Sequence, residues 1–241
     1  MKTFKALSAL LTYPERELQR AIPAIREALV AEQLLSPATV SALEPLLQSL
    51  EQSDIYNLQE RYVLLFDRSR SLSLNLFEHI HGESRDRGGA MVDLLETYRA
   101  SGFDLVSTEL PDHLPVLLEF VSTQSVQEAR ALLQDAGHII VALAGRLQRR
   151  NTPYAAVLQA LVDFAEADQR SEEAQLLLAE KDDDPEDLEA LDAVWEEAAV
   201  TFGPGDAAAC PSTMGTGNAG NLAANEFPIH IQRRSKTSDL H

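Results

Sequence analysis

The sequence predicts an all-α protein: a single globular helical bundle over residues 1–202, followed by a flexible tail over residues 203–241. Three observations carry that expectation. Apolar residues recur at helical spacing through most of the chain up to Phe164. No alternating apolar–polar pattern of any length marks a strand, and β-branched residues are scattered. Prolines and small polar residues punctuate the apolar stripes where helices should begin. With 45% apolar residues the chain has ample material for a core, and the lack of a fixed-period repeat argues against a solenoid.

Taken in order, Leu7, Leu10 and Leu11 open a first helix that Pro14 interrupts. Pro14 suits the first position of a second helix, whose stripe is Leu18, Ile22, Ile25 and Leu29. Pro23 within that stripe predicts a kink or a break, because proline removes a ladder hydrogen bond. Ser36 as N-cap and Pro37 at the first helical position restart the chain, with Leu43, Leu46, Leu47 and Leu50 facing inward. Ile55, Leu58, Tyr62, Leu65 and Phe66 form the next stripe, which ends in the charged turn Asp67–Ser71. Leu72, Leu74, Leu76 and Phe77 lead into a histidine-bearing segment. Met91, Leu94, Leu95 and Tyr98 at i, i+3, i+4 and i+7 predict a helix that Gly102 stops. Leu114, Leu117, Leu118 and Val121 follow Pro111, and one long helix is expected over Val126 to Arg150. Asn151-Thr152-Pro153 restarts the chain ahead of Tyr154, Val157, Leu158, Leu161 and Phe164. A last helix is expected from Pro185, capped by Asp184, with Leu188, Leu191, Val194 and Trp195 buried. The total is about eight to ten helices. Beyond Phe202 the chain becomes small, polar and glycine-rich, and the short apolar patch Phe227–Ile231 before Arg233-Arg234 is expected to stay undocked.

Charge narrows the function classes. The net charge is −18, which repels nucleic-acid phosphates and anionic membranes and favours basic partners such as basic peptides. Asp163 to Glu197 alone holds fifteen acidic residues against two basic ones. Cys210 is the only cysteine, so neither an internal disulfide nor a cysteine-based zinc cluster can form. The first residues lack a signal-peptide cleavage site, and no apolar run approaches the ~18 residues that span a bilayer. A cytoplasmic location without membrane insertion is therefore expected.

The chemistry-bearing residues concentrate between Leu76 and Phe120: Phe77, Glu78, His79, His81, Glu83, Arg85, Asp86, Arg87, Met91, Glu109, Pro111, Asp112 and His113. His79 and His81, two apart, would point about 200° from each other on a helix, whereas a helical zinc pair needs i, i+4 spacing. His113 with Glu78 or Glu83 would have to converge on one of them to complete a metal site. A hydrolase would need a nucleophile, and no nucleophile elbow or phosphate-cradling glycine loop is present. Arg85, Asp86 and Arg87 read either as an ion-pair network at a helix start or as a charged rim around a groove. Met91 on its stripe reads first as core filler. In Glu109-Leu110-Pro111-Asp112-His113-Leu114-Pro115, Pro111 fixes the approach to a helix. Asp112 is expected to cap the free N–H groups at its start. His113 beside that helix end, where the dipole disfavours an imidazolium, is a candidate for pH-dependent release of a ligand.

Three stretches carry a resemblance: LFDRSRSLSLNLFEHIHGESRDRGGAMVDLL, ELPDHLPVLLEF and LDAVWEE, joined by Leu10-Leu11-Thr12-Tyr13-Pro14. Over about Leu7 to Phe202 the chain closely resembles the NarJ-type chaperones of respiratory nitrate reductase, within the wider TorD-like family. The resemblance implies an all-helical, non-enzymatic assembly chaperone without a cofactor of its own. Such a protein binds the N-terminal segment of the apo catalytic subunit, holds it competent for molybdenum cofactor insertion, and leaves the finished enzyme. Cofactor-biosynthesis proteins are implied as further partners, and the oligomeric state is not implied either way. Glu109, Pro111, Asp112 and His113 match the family's acidic-Pro-Asp-His motif, and the Glu78–Arg87 block matches the NarJ-type signature. The alternative is a metal- or molybdopterin-handling enzyme built on His79, His81 and His113.

Overall fold

The computed structural model describes residues 1–82, 84–180 and 230–234, and only the backbone of Arg85. Eleven α-helices occupy the described residues, and the fold is all-α as expected. They are α1 (Lys2–Leu10), α2 (Arg16–Ala31), α3 (Pro37–Gln52), α4 (Ile55–Tyr62), α5 (Glu78–His81) and α6 (Arg85–Ala100), then α7 (Leu114–Thr123), α8 (Val126–Asp135), α9 (Gly137–Arg149), α10 (Ala155–Ala165) and α11 (Glu172–Ala179). A π-helical turn, Val63–Asp67, and a 3-10 turn, Arg70–Leu72, join α4 to the segment before α5.

The centre is made by the helices that are apolar on nearly every face. All residues of α7 from Leu114 to Ser122 are buried, as are seven of the nine residues of α1. A helix hydrophobic all round has to be enclosed by others, and here α1 packs along α7 while α9 packs along α10. Phe4 meets Phe164 edge-on at 4.8 Å, and Ser8 Oγ donates to Pro115 O at 2.8 Å, which fixes α1 against α7. The amphipathic pair α2 and α3 covers the side of this centre through Ile22, Ile25, Leu29, Leu43, Leu46 and Leu50. Ser36 caps α3 by accepting from Thr39 N at 3.1 Å, with Pro37 following, as the sequence predicts.

Several elements differ from the sequence expectation, each for a physical reason. Pro14 lies in the turn ahead of α2, which starts at Arg16. Helix α2 continues through Pro23, which is exposed, so the missing ladder bond falls on the water side while the buried stripe holds the helix together. The single helix expected over Val126–Arg150 is two, α8 and α9, broken at Ala136. Glycine weakens a helix interior, and a Cβ on Gly137 would come within 3.1 Å of Ala167 Cβ. Two short helices, α5 and α11, bring the count above the expected range. The helix expected from Pro185, with its cap Asp184 and its stripe Leu188, Leu191, Val194 and Trp195, lies outside the described residues.

A two-stranded antiparallel sheet is also present, against the expectation of no strand. Strand β1 (Phe103–Leu105) pairs with β2 (Ile231–Arg233), in register Phe103↔Arg233, Asp104↔Gln232 and Leu105↔Ile231. The apolar patch expected to remain undocked is thus docked over its last residues: His230 and Ile231 are buried against the bundle. Strands this short carry too little alternation to be seen in a sequence. What makes them is an unpaired backbone edge finding a partner far along the chain.

Candidate functional site

Residues Leu74–Phe77 run antiparallel to Pro111–Leu114, and hydrogen bonds lock the two segments together. Leu114 N donates to Leu74 O at 2.8 Å, and Leu76 N donates to Asp112 O at 3.1 Å. Asp112 does not cap α7, which corrects the sequence expectation: the N-cap is His113, without a side-chain cap bond. The Asp112 carboxylate instead accepts from Phe77 N at 3.0 Å, across the strip. It is almost fully buried, and burial raises its pKa above the usual carboxylate value. Tyr98, the one fully buried side chain among the described residues of α6, donates from Oη to Pro111 O at 2.8 Å and packs its ring on Phe120 at 4.6 Å. The Pro-Asp-His turn is therefore held from three sides.

The remaining residues singled out in the sequence surround this strip. Glu78 accepts from Ser73 Oγ and lies 3.8 Å from Arg87. His79 Nε2 pairs with Ser73 O at 2.8 Å, and burial holds its pKa low. His81 packs its ring on Phe77 at 5.9 Å, at the end of α5, which Gly82 stops with φ +52°. His113 Nδ1 faces Asn75 Oδ1 at 3.3 Å. The three imidazoles are thus engaged with different partners rather than converging, and among the described residues no group of three His, Cys, Asp or Glu side chains is placed to hold a metal. Asp86 is exposed in the first turn of α6, and Met91 is half-buried. Glu83 and the Arg85 side chain lie outside the described residues.

Of these, among the described residues, only Glu109 and His113 reach an open cleft of about 390 Å³. Its other walls come from elements distant in sequence: Thr12, Tyr13, Glu15, Glu17 and Leu18 around the α1–α2 turn, Tyr62 and Asp67 at the end of α4 and its π-helical turn, and His230. Among the described residues, four carboxylates thus line the cleft and no lysine or arginine does. Tyr13 and Tyr62 meet edge-on at 5.6 Å, and Tyr62 Oη is anchored on Leu11 O at 2.9 Å. Partial burial, and then the neighbouring Glu109, raise the Asp67 pKa. Neighbouring carboxylates beside aromatic rings are groups that attract a cation. Sequence reasoning missed Glu15, Glu17, Tyr62 and His230 as site residues. The one local signal was the Leu-Leu-Thr-Tyr-Pro run that brings Tyr13 to the rim.

Burial, and then the neighbouring His230, push His113 down to about 4. The imidazole is neutral at ordinary pH, so its protonation would trigger release only near pH 4, not near neutrality. It does affect stability. Between pH 6.5 and about 4 the unfolded chain binds a proton at His113 that the folded chain refuses. Stability contributed at this site is therefore complete above pH 6.5 and is lost as pH falls toward 4, by about 3 kcal/mol in total. The raised carboxyls of Asp67, Asp112 and Glu119 act in the opposite direction. The measurement is therefore a difference: urea unfolding of the wild type against His113→Gln from pH 7 to pH 4.5. The gap should shift steadily in favour of the variant as pH falls, and a constant gap would refute the assignment.

Comparison with known proteins places this architecture. Residues 16–160 match the model of the nitrate reductase delta subunit family. The chain is 42% identical over 208 residues to the nitrate reductase molybdenum cofactor assembly chaperone NarJ of Escherichia coli strain K12, covering 84% of this chain and 87% of that protein. It is 37% identical over 215 residues to the probable chaperone NarW of the same strain, covering 88% and 89%. To the probable NarJ of Bacillus subtilis strain 168 it is 34% identical over 163 residues, covering 66% and 86%. The family match includes both segments of the strip, and the chain belongs to the nitrate reductase delta subunit family of NarJ- and NarW-type assembly chaperones.

Proposed function

We propose that this protein is a non-enzymatic chaperone that binds the apo catalytic subunit of membrane-bound respiratory nitrate reductase at its N-terminal segment. It keeps that subunit competent for molybdenum cofactor insertion and then leaves. The names of its relatives support the assembly role. The observation that supports peptide recognition is the cleft with four carboxylates, two tyrosines and, among the described residues, no lysine or arginine.

A basic amphipathic segment needs two things from its receptor, a place for its cations and a place for its apolar face. The cleft supplies the first. For the second, Tyr13, Ile80, Val92, Val106 and Leu110 are five of the nine large apolar residues left exposed among the described residues: Tyr13 lines the cleft, and the other four lie on α5, α6 and the segment between β1 and Pro111. Glu109 offers an exposed carboxylate to the client, while Pro111 and Asp112 hold the turn that presents it. In this reading the Glu78–Arg87 block is a charged rim: Arg87 leans on Glu78, and the exposed Asp86 stays open to a partner. Ordering a flexible peptide costs free energy, which keeps the affinity moderate and the complex reversible.

Calorimetry with a synthetic peptide of the catalytic subunit's N-terminus tests this. Binding with a negative heat-capacity change is expected, and Glu109→Ala should weaken it several-fold more than alanine replacement of Asp182–Asp184. Undetectable binding to the folded protein would sink the reading. Equal effects of the two replacements would assign binding to bulk charge alone.

A further inference from the structure

Glu119 is a carboxylate on α7, a helix buried on nearly every face. Such a group needs donors, and its Oε2 receives two from the same segment: His230 N at 2.6 Å and Ile231 N at 3.0 Å. On the other side of that segment, the β1 edge extends the contact. Val106 N donates to His230 O at 2.9 Å, and Arg234 N donates to Gly102 O at 2.7 Å. Ile231 is buried, and the Arg234 guanidinium lies 3.2 Å from Asp104. Main-chain groups thus fix an extended backbone, an apolar position reads Ile231, and an acidic side chain reads the base that follows. These are the components of recognition by strand addition.

The occupant is held by few contacts. Of the described residues 230–234, only His230 and Ile231 are buried, and the strand pairs with β1 alone. Both nitrogens of the buried His230 ring lack a hydrogen-bond partner, although that ring forms a wall of the acidic cleft. A segment docked with an unsatisfied buried ring sits in a site that another strand can take. Its pattern, an apolar residue followed by bases, also matches the chemistry proposed for the client.

We propose that β1 and Glu119 form a strand-docking site, that His230–Arg234 occupies it in cis as a strap beside the cleft, and that an extended apolar–basic segment of the client displaces the strap. The docking site stands on the geometry above, and the displacement rests on the client reading of the preceding subsection. The full-length chain carrying Ile231→Asp tests both, with Arg234→Glu as a second variant that leaves the apolar contact intact. In Ile231→Asp, hydrogen-exchange protection of the Val106 amide should fall at least about tenfold while that of Leu143 in the core is retained. A synthetic peptide of residues 226–235 should bind this variant and not the wild type, and the same peptide with the Ile→Asp change should not bind. The catalytic subunit's N-terminal peptide should bind Ile231→Asp about tenfold more tightly than wild type, with Arg234→Glu between them, and the 226–235 peptide should cancel the gain. Unchanged Val106 protection, or no binding of the 226–235 peptide to the variant, would overturn the docking site. Equal client affinity for wild type and variant would overturn displacement. A client peptide that binds neither protein, while the 226–235 peptide still binds the variant, would refute the client reading and displacement together and leave the docking site standing.

Discussion

Reversing Asp67 and Glu109 together (D67K/E109K) is expected to weaken binding of the client's N-terminal peptide by about 30-fold at low salt, roughly 2 kcal/mol. Both side chains line the cleft, and partial burial and then the neighbouring Glu109 oppose the charge of Asp67 and raise its pKa. A client cation relieves that repulsion, and two lysines would restore it with the opposite sign against the client. The carboxylates of the cleft are exposed, so salt screens the interaction and the effect should shrink toward high ionic strength. The control is E172K/E173K on α11, which makes the same change in net charge on an exposed helix away from the cleft. Titration calorimetry at two salt concentrations, with helicity verified by circular dichroism, measures the effect. Equal losses from both double variants would show that the acidic surface as a whole, and not the cleft, attracts the peptide.

Arg146→Met is expected to cost about 3 kcal/mol of stability and to lower the urea midpoint by more than about 1 M. The Arg146 side chain is only 1% exposed, and α9 delivers it to a set of acceptors. It donates to Ser71 O at 2.7 Å, to Glu180 Oε2 at 3.1 Å and to Leu177 O. Methionine keeps an unbranched apolar stem, shorter than arginine, and removes the donors, so the carbonyls of Ser71 and Leu177 lose a charged partner inside the protein. The two ends of that bridge are the 3-10 turn, which leads into the site strip, and the end of α11. Arg146→Lys keeps a charge and fewer donors, and should recover part of the loss. An unchanged midpoint for Arg146→Met would refute its role as the tie between α9, the turn and α11.

Most of the bundle was legible because helix formation is local. The i, i+3, i+4 stripes, the Ser36-Pro37 start and the Gly102 stop each require only neighbours within a turn or two. Errors arose where the deciding contact was distant. The break at Ala136 lies beside Gly137, where a Cβ would crowd Ala167, and helix α2 survives Pro23 because that residue faces water. Asp112 looked like a cap because Asp before a helix usually is one. The choice between its own helix and Phe77 N was made by the antiparallel strip, which no local pattern encodes.

By itself the sequence determined the all-α class, the stripes that make the core, the acidic surface and the block of residues that carries the family signature. Only the tertiary structure decided where those residues sit and what they touch. It separated the Asp112–Phe77–Tyr98 scaffold from the Glu109–Asp67–Tyr13 cleft, and it brought His230–Arg234 back onto Glu119 and β1. The physical reason is range. Helical hydrogen bonds close over four residues, so periodicity records them, whereas a buried carboxylate meets its donors more than a hundred residues away, where only packing brings them together.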